Sequence, residues 1–318
     1  MVRPTREPLR VKEQKMEQRL RDLPLGTESL RQLRQQHKLL VDKTAQLAEL
    51  AQGSTLFLAR PNGFGKTLLL STLQELFAHG ASDNPACAGL AVQARWPHGT
   101  FPVVMMSLAG LTNPTTLSAD LAARLCSAFE AAGFTEAAAL SEQGLSLTEN
   151  LGELEVMTHG TDLVVLIDDW DFPLSAQLHH KAAFEANCKV LRQLAAWLRE
   201  LPNLWFTFLT GVTCHQSSTI WGGSDVRDLT WEPAYADLLG YTAAELTTYF
   251  EDYIEVAAAL LHLGTKELYF ELERRYGGFC FDRAAQVKVF CPLAINRFFA
   301  QVVGPDHAAT ILTFGDYH

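Results

Sequence analysis

The sequence predicts an α/β fold in which a parallel sheet lies between two layers of helices, a three-layer sandwich. Apolar runs of strand length alternate with longer helical segments through most of the 318 residues. This alternation is typical of parallel sheets with right-handed crossovers. Apolar residues make up 48% of the chain, enough to bury a large core, and we expect one main domain with a smaller appendage.

The first predicted core strand, 54–59, leads through a glycine-containing turn into a helix predicted over roughly 66–79. Residues 60–67 read Arg-Pro-Asn-Gly-Phe-Gly-Lys-Thr, and Gly-Lys-Thr opening a helix after a strand is the context that a phosphate-binding loop requires. Unpaired N–H groups at a helix N-terminus bind anions. Lys66 would add a charge for the β- and γ-phosphates, and the Thr67 hydroxyl would ligate Mg²⁺.

This pattern predicts a set of nucleotide contacts along the loop and the first turn of the helix. The predicted contacts are Arg60, Asn62, Gly63, Phe64, Gly65, Lys66, Thr67 and Leu68. The usual phosphate-loop pattern has a glycine where this chain has Arg60, so the match is incomplete. Arg60 would neutralise phosphate charge or simply begin the turn.

A strand that ends in acidic residues strengthens the prediction of a phosphate-binding loop. A second apolar strand is predicted at 101–108 and helices at 114–133 and 145–158, and a fully apolar run at 162–168 then ends in Asp168 and Asp169. Such a run is typical of a central parallel strand, and carboxylates at its C-terminal edge lie where ligands bind in open α/β sheets. Asp168 would hold Mg²⁺ and Asp169 would orient the attacking water. The alternative is a strand followed by an acidic turn.

The remaining segments complete the predicted sheet and add a smaller domain. A helix at 180–200 precedes a buried strand at 204–210, and 226–230 is a candidate edge strand. Thr210 ends the buried strand, where it would sense the γ-phosphate or merely terminate the strand; Thr213 is a similar candidate. Beyond 242 the pattern becomes helical, over 243–262 and 265–275, and then short and mixed, which predicts a helical or winged-helix-like lid. The predicted domains are an N-terminal helical arm at 1–50, the core at 51–240 and the lid at 241–318.

Together these segments resemble the bacterial AAA-ATPase-like proteins, divergent P-loop ATPases often joined to a C-terminal nuclease of the PD-(D/E)xK type. The resemblance extends through most of the chain. It is carried by the phosphate loop, the acidic strand and the segments Leu40–Thr44, Phe208–Thr213, Asp228–Thr230, Leu239–Leu246 and Tyr276–Phe281. It implies a P-loop NTPase sandwich, ATP and Mg²⁺ as cofactors, and a lid beside the nucleotide.

The chain departs from the family pattern at three places. Asn62-Gly63 replaces Arg-Arg, Asp169 replaces a glutamate, and Cys214 stands where the family tends to have arginine. The family also lacks the glycine at the position of Arg60, so that difference is shared. Aspartate is one methylene shorter than glutamate, and a misplaced base can cost orders of magnitude in rate. Nucleotide binding is therefore better supported than fast hydrolysis.

Charge and composition restrict the compartment and the partners. A net charge of −10 argues against a broad nucleic-acid surface. The first 21 residues are nevertheless basic, and they would form either a solvated helical arm or an arm that binds nucleic acid or a partner. No signal peptide or membrane-spanning run is present, and the six widely spaced cysteines indicate reduced thiols, so we expect a cytoplasmic protein. No nuclease pattern follows residue 280, so the effector module is expected to be missing.

Three functions stay open at this stage. In the first, a Mg²⁺-dependent ATPase uses Lys66, Asp169 and Thr210 catalytically and regulates an effector or partner through ATP and ADP. In the second, a nucleotide-binding interaction module has a degenerate site and little or no hydrolysis. A phosphotransferase acting on a small acceptor would share the same loop. The sequence leaves the oligomeric state open.

Overall fold

The computed structural model describes residues 20–26, 29–213, 220–221 and 226–303. Residues 1–19, which form most of the basic segment at the start of the chain, and Cys214 lie outside these residues. The predicted α/β class is confirmed, because the described chain contains a five-stranded parallel sheet with helices on both faces. Its strands are β1 Thr55–Ala59, β2 Val103–Ser107, β3 Leu163–Asp168, β4 Leu204–Gly211 and β5 Val226–Asp228.

The strand order places three strand ends side by side. The order is β2-β3-β4-β1-β5, and every neighbouring pair is parallel. β4 therefore lies between β1 and β3, with Ala59 opposite Gly211 and Ile167 opposite Leu209. The candidate edge strand is indeed at the edge, where β5 pairs with β1. Segments that follow β1, β3 and β4 consequently emerge next to one another.

The helices agree broadly with the sequence pattern. They are α1 Leu30–Gln35, α2 Thr44–Leu50, α3 Lys66–His79, α4 Leu117–Ala131, α5 Ala137–Leu140, α6 Leu147–Met157, α7 Phe172–Ser175, α8 Lys181–Glu200, α9 Ala243–Tyr249, α10 Glu251–Leu261, α11 Thr265–Tyr276 and α12 Pro292–Val303. The single helix expected over 243–262 is two helices, because Phe250 leaves helical geometry between them. Its buried ring packs against Tyr241 and Phe299, which fixes the break.

Apolar side chains cover both faces of the five-stranded sheet. Strand side chains alternate between the faces, and Phe57, Val165 and Leu209 enter a core that includes buried residues of α4, α6 and α8. On the other face, the ring of Phe77 in α3 lies 5.1 Å from the ring of Phe206. The sheet is thus the middle layer of three.

The chain divides into two compact units. One contains Asp42–Asn62 and Lys66–Tyr235, and the other contains the described residues of Met1–Val41, Gly63–Gly65 and Ala236–His318. The second unit has its own core, contributed largely by α9 to α12, and an antiparallel sheet. That sheet has the order β6-β8-β7, with β6 Tyr241–Thr242, β7 Phe279–Cys280 and β8 Lys288–Phe290. The domain ranges 1–50, 51–240 and 241–318 stay a prediction.

The motif Asp42-Lys43-Thr44 has a structural role that its spacing did not reveal. One oxygen of the Asp42 carboxylate accepts hydrogen bonds from the Thr44 N–H (2.9 Å) and hydroxyl (2.6 Å). The other accepts the Ala91 N–H at 2.7 Å, and Thr44 Oγ1 accepts the Val92 N–H at 3.1 Å. The motif therefore ties the start of α2 to the short 3-10 turn Ala91–Ala94.

None of the described helices is both long and apolar enough to cross a membrane.

Candidate functional site

The predicted phosphate loop connects β1 to α3. Gly65 has a φ of +90°, a left-handed backbone conformation that residues other than glycine rarely adopt. Lys66 then begins α3, and the Lys66 side chain is buried. Because the turn ends where the helix starts, the first N–H groups of α3 have no partner within the helix and can bind an anion.

The Lys66 ammonium group is held by the loop itself. Its Nζ donates to the carbonyl oxygens of Arg60 (3.1 Å) and Pro61 (3.3 Å) and lies 3.5 Å from Oδ1 of Asn62. Burial lowers the pKa of Lys66, and the nearby carboxylates Asp169, Asp168 and Asp171 act in the opposite direction.

Asp168, at the end of β3, accepts hydrogen bonds from two threonine hydroxyls. Thr67 Oγ1 donates to one carboxylate oxygen and Thr210 Oγ1 donates to the other, each at 2.5 Å. The Asp168 side chain is buried, and the same oxygen that meets Thr210 accepts the Asp169 N–H at 3.0 Å. The structure thus brings together predicted site residues from α3, β3 and β4.

These side chains fit a hard divalent cation. A threonine hydroxyl and an aspartate carboxylate are oxygen donors of the kind Mg²⁺ uses, usually with water and substrate phosphate as further ligands. The 2.5 Å hydrogen bond places Thr67 Oγ1 beside Asp168 Oδ2, so a single cation could contact both oxygens. Within the described part of the chain, no group of three or more His, Cys, Asp or Glu side chains could hold a metal. A cation here would depend on ligand oxygens.

Asp169 follows β3 in an unusual backbone conformation. Its φ is +51°, a left-handed value that aspartate tolerates better than most residues. The Ser107 hydroxyl donates to its carboxylate at 3.4 Å. Burial, and then the charge of Asp168, raise the pKa of Asp169, while Lys66 and Ser107 oppose that rise. The carboxylate of Asp169 therefore belongs to the same electrostatic cluster as Lys66.

Asp171 is a site residue that the sequence did not single out. Its buried carboxylate accepts the Val212 N–H at 3.2 Å and both the N–H and the hydroxyl of Thr213 at 2.8 Å. The hydroxyl of Thr213, a candidate phosphate sensor, is therefore bonded to protein. Asp171 fastens the segment after β4 to the segment after β3. The acidic run at 168–171 is visible in the sequence. Its spacing does not reveal that Asp171 binds Val212 and Thr213, which lie 41 and 42 residues further along the chain.

Arg60 was predicted as a phosphate contact, and the structure places its guanidinium among backbone carbonyls. Nη1 donates to the carbonyl oxygens of Ala59 (2.8 Å) and Thr230 (2.9 Å), and Nη2 donates to that of Tyr235 (3.1 Å). The side chain is 1% exposed. Burial lowers the pKa of Arg60 to about 10, with Asp228 opposing the shift. These bonds anchor the start of the loop.

The other predicted loop contacts have different surroundings. Asn62 is exposed and Leu68 is partly buried in the first turn of α3. The ring of Phe64 is buried, with its centroid 5.1 Å from that of Phe279 and 5.2 Å from that of Phe281. The Gly63 carbonyl accepts a hydrogen bond from the Leu293 N–H at 3.1 Å. Phe64 could therefore meet a ligand through its backbone, since its side chain is committed to aromatic packing.

Comparisons with known proteins bear on the loop and the acidic strand together. Residues 24–220 match the model of a family described as "Predicted AAA-ATPase". An "Uncharacterized protein in vnfD 5'region" of Azotobacter chroococcum mcd 1 is 29% identical over 243 residues, which cover 72% of this chain and 44% of that protein. The chain thus spans less than half of that relative.

A solved structure is also similar in outline. The match is to a chain in the structure of Drosophila ORC bound to DNA, with 12% identity and a TM-score of 0.41. It covers 98% of this chain and 65% of that one.

Proposed function

Because the chain belongs to the AAA-ATPase-like family, as the match over residues 24–220 shows, we propose that it is a Mg²⁺-dependent ATPase. Membership of this family makes the chain an ATPase-like nucleotide-binding protein. Its dependence on Mg²⁺ and its hydrolysis of ATP are what we propose. The observation that carries it is the convergence of Thr67 and Thr210 on the Asp168 carboxylate. Three elements of the chain supply these groups beside the phosphate loop.

The phosphate loop would bind the triphosphate. Lys66 would exchange its bonds to the Arg60 and Pro61 carbonyls for bonds to β- and γ-phosphate oxygens. The backbone N–H groups of Gly65 to Leu68 would cradle the phosphates at the start of α3. We propose that Arg60 acts here as a structural anchor, because its guanidinium is already engaged with backbone carbonyls.

Thr67 and Asp168 would hold the cation. When bound, Mg²⁺ would neutralise developing charge on the phosphate oxygens. Thr210 would position the Asp168 carboxylate through its 2.5 Å hydrogen bond. Asp169 would orient the attacking water, and its carboxylate lies in the same cluster as Lys66.

The runner-up is a nucleotide-binding interaction module with little or no hydrolysis. The observation that favours it is the short Asp169 side chain, which is placed by a left-handed backbone. A carboxylate that is held away from the attacking water would orient it badly. Binding could still switch the protein between states, because a ligand shifts a conformational equilibrium by its differential affinity. A phosphotransferase would instead form product only with an acceptor present.

We further propose that nucleotide state regulates an effector or partner protein in the cytoplasm. The support is the resemblance to ATPases that are joined to nuclease modules. The effector, the compartment and any oligomer are parts of this proposal. A role in nucleic-acid binding receives no support from the net charge of −10.

The decisive experiment measures phosphate release from ATP with Mg²⁺ and binding of labelled ATP in the same samples. Wild type is compared with Lys66→Ala and with Lys181→Ala, a control whose lysine side chain is 90% exposed on α8. The ATPase proposal predicts ATP binding and phosphate release in wild type and in the control, and neither in Lys66→Ala.

Asp169→Asn should keep ATP binding and lower phosphate release at least about tenfold. Binding through Lys66 without any release would favour the interaction module. No binding in wild type would overturn both.

A further inference from the structure

Trp231 lies in a turn that is directly attached to the start of the phosphate loop. After β5, the Thr230 hydroxyl accepts the Ala59 N–H at 3.1 Å, and the Thr230 carbonyl accepts the Arg60 guanidinium at 2.9 Å. The Arg60 carbonyl in turn accepts the Lys66 ammonium group at 3.1 Å. Trp231 therefore follows the residue that fastens β5 to the loop.

The order of the strands determines which way a bound nucleotide would extend. Asp168 is the last residue of β3 and Thr210 the last but one of β4. Both strands lie on one side of β1, and β5 lies on the other side. Under the proposed function the terminal phosphate lies beside Asp168. With the loop and α3 holding the phosphates at the end of β1, we infer that the nucleoside extends away from β3, toward the turn after β5. Neighbouring strands are separated by about 4.8 Å, so this turn is within reach of a nucleotide.

The turn is fixed by polar contacts, whereas the indole is exposed. The Thr230 N–H donates to an Asp228 carboxylate oxygen at 2.8 Å, and the Glu232 N–H donates to the Leu229 carbonyl at 3.2 Å. Arg227 forms a two-bond ion pair with Glu232, with distances of 2.8 and 2.5 Å. Trp231 itself is nevertheless 43% exposed.

We propose that Trp231 is the stacking surface for the nucleobase, an inference that depends on the proposed function. An indole on a hydrogen-bonded turn offers a large apolar surface, and its backbone needs little further ordering on binding. Every nucleobase has a π-face, so stacking adds affinity with little discrimination among bases. Trp231 would therefore raise the affinity for ATP and GTP alike, while the loop binds the phosphates independently.

The test compares ligands with and without a base. Binding of Mg·ATP, Mg·GTP and Mg·tripolyphosphate is measured for wild type, Trp231→Ala, Trp231→Phe and Lys66→Ala. Phe270→Ala is the matched control, because Phe270 is an aromatic residue 63% exposed on α11. We expect Trp231→Ala to weaken both nucleotides about tenfold and to leave tripolyphosphate unchanged. Trp231→Phe should retain most of the affinity for both nucleotides. In the same variant, the quenching of tryptophan fluorescence by ATP should be lost.

Three results would overturn the inference. Unchanged nucleotide affinity in Trp231→Ala would show that the indole makes no contact with the base. Equal weakening of nucleotides and tripolyphosphate would show that Trp231 only supports the loop. If Lys66→Ala weakens no ligand, the proposed function itself fails, and the inference fails with it. The first two results leave the proposed function standing, so the two failures are distinguishable.

Discussion

At the scale of single residues, the Asp168 carboxylate is the centre of the candidate site. It is buried, and each of its oxygens meets a threonine hydroxyl at 2.5 Å. A buried carboxylate with fixed donors is held in one orientation, because leaving a buried polar atom unsatisfied costs about 1–3 kcal/mol. Thr67 would be drawn to a bound cation, whereas Thr210 lies on β4 and would remain to hold Asp168.

Replacing Thr210 by valine tests this division of roles. Valine keeps the shape and removes the hydroxyl, so Asp168 loses one donor while the strand stays packed. We expect ATP binding to change less than about threefold and phosphate release to fall at least about tenfold, because the carboxylate is no longer held for the transition state. The readouts are labelled-ATP binding and steady-state phosphate release.

Thr207→Val on the same strand is the matched control. Thr207 is equally buried, and its hydroxyl has no hydrogen-bond partner among the described residues. Its replacement should leave both activities unchanged and should not lower the free energy of unfolding. If the two variants behave alike, Thr210 has no special role.

Sequence reasoning located some of these residues and missed others for a physical reason. Lys66, Thr67 and Asp168 belong to local patterns, a strand followed by a turn or by acids, so their placement follows from neighbouring residues. The anchoring of Arg60 depends on carbonyls 170 and 175 residues away. The role of Asp171 likewise depends on the segment after β4. Such contacts are decided by tertiary packing and leave no trace in spacing.

At the scale of elements, the junction after β4 is held by close packing as well as by hydrogen bonds. A Cβ atom added at Gly211 would lie 2.6 Å from Nε1 of Trp170 and 2.7 Å from a carboxylate oxygen of Asp171. Trp170 is fully buried, so it has little freedom to move. Glycine is required here by the close approach of these side chains.

Gly211→Ala should therefore destabilise the protein and disturb the site. Overpacking of this kind typically costs about 1–3 kcal/mol of unfolding free energy. Gly152→Ala is the control, since a Cβ at Gly152 within α6 meets no atom within 4 Å. That change should stabilise the protein by about 0.4–1 kcal/mol. Urea unfolding measures both. Equal stability of the two variants would contradict the packing argument.

An aromatic cluster beside the end of α3 gives a prediction for pH. The ring centroid of His98 lies 5.1 Å from that of Trp96 and 4.9 Å from that of Trp205, and its Nε2 has no partner among the described residues. Burial lowers the pKa of His98 below its usual 6.5, against a backbone hydrogen bond to Ala51. The folded protein therefore binds fewer protons at this position than the unfolded chain does.

Stability should fall as the pH drops below about 6.5, because the unfolded chain gains a proton there and the folded chain resists it. The loss continues down to the lowered pKa and then stops. His98→Phe should reduce the slope of unfolding free energy against pH between 7 and 5, compared with the wild-type protein. Urea titrations at several pH values measure the slopes. Identical slopes for His98→Phe and wild type would exclude this contribution.

At the scale of the whole molecule, the fold class could be predicted from the sequence, whereas the order of the strands and the break between two helices could not. A parallel sheet follows from apolar runs such as β3, which is buried along its whole length, and β4, which is buried from Phe206 onward. The break at Phe250 was not predictable, because helical composition continues through it and ring packing decides it. The place of β4 between β1 and β3 was also not encoded locally. That order is what brings Thr210 to Asp168.

Ligand binding to a folded site must also stabilise the protein as a whole. At a concentration of one hundred times Kd, a ligand that binds only the native state adds about 2.7 kcal/mol to the free energy of unfolding. In a chain of this size we expect Mg·ATP to raise the midpoint of thermal unfolding by several degrees. Lys66→Ala should lose the shift and Lys181→Ala should retain it. Calorimetry with and without Mg·ATP provides the measurement. A shift that requires Lys66 without phosphate release would favour the interaction module, whereas an equal shift in Lys66→Ala would place the nucleotide elsewhere on the molecule.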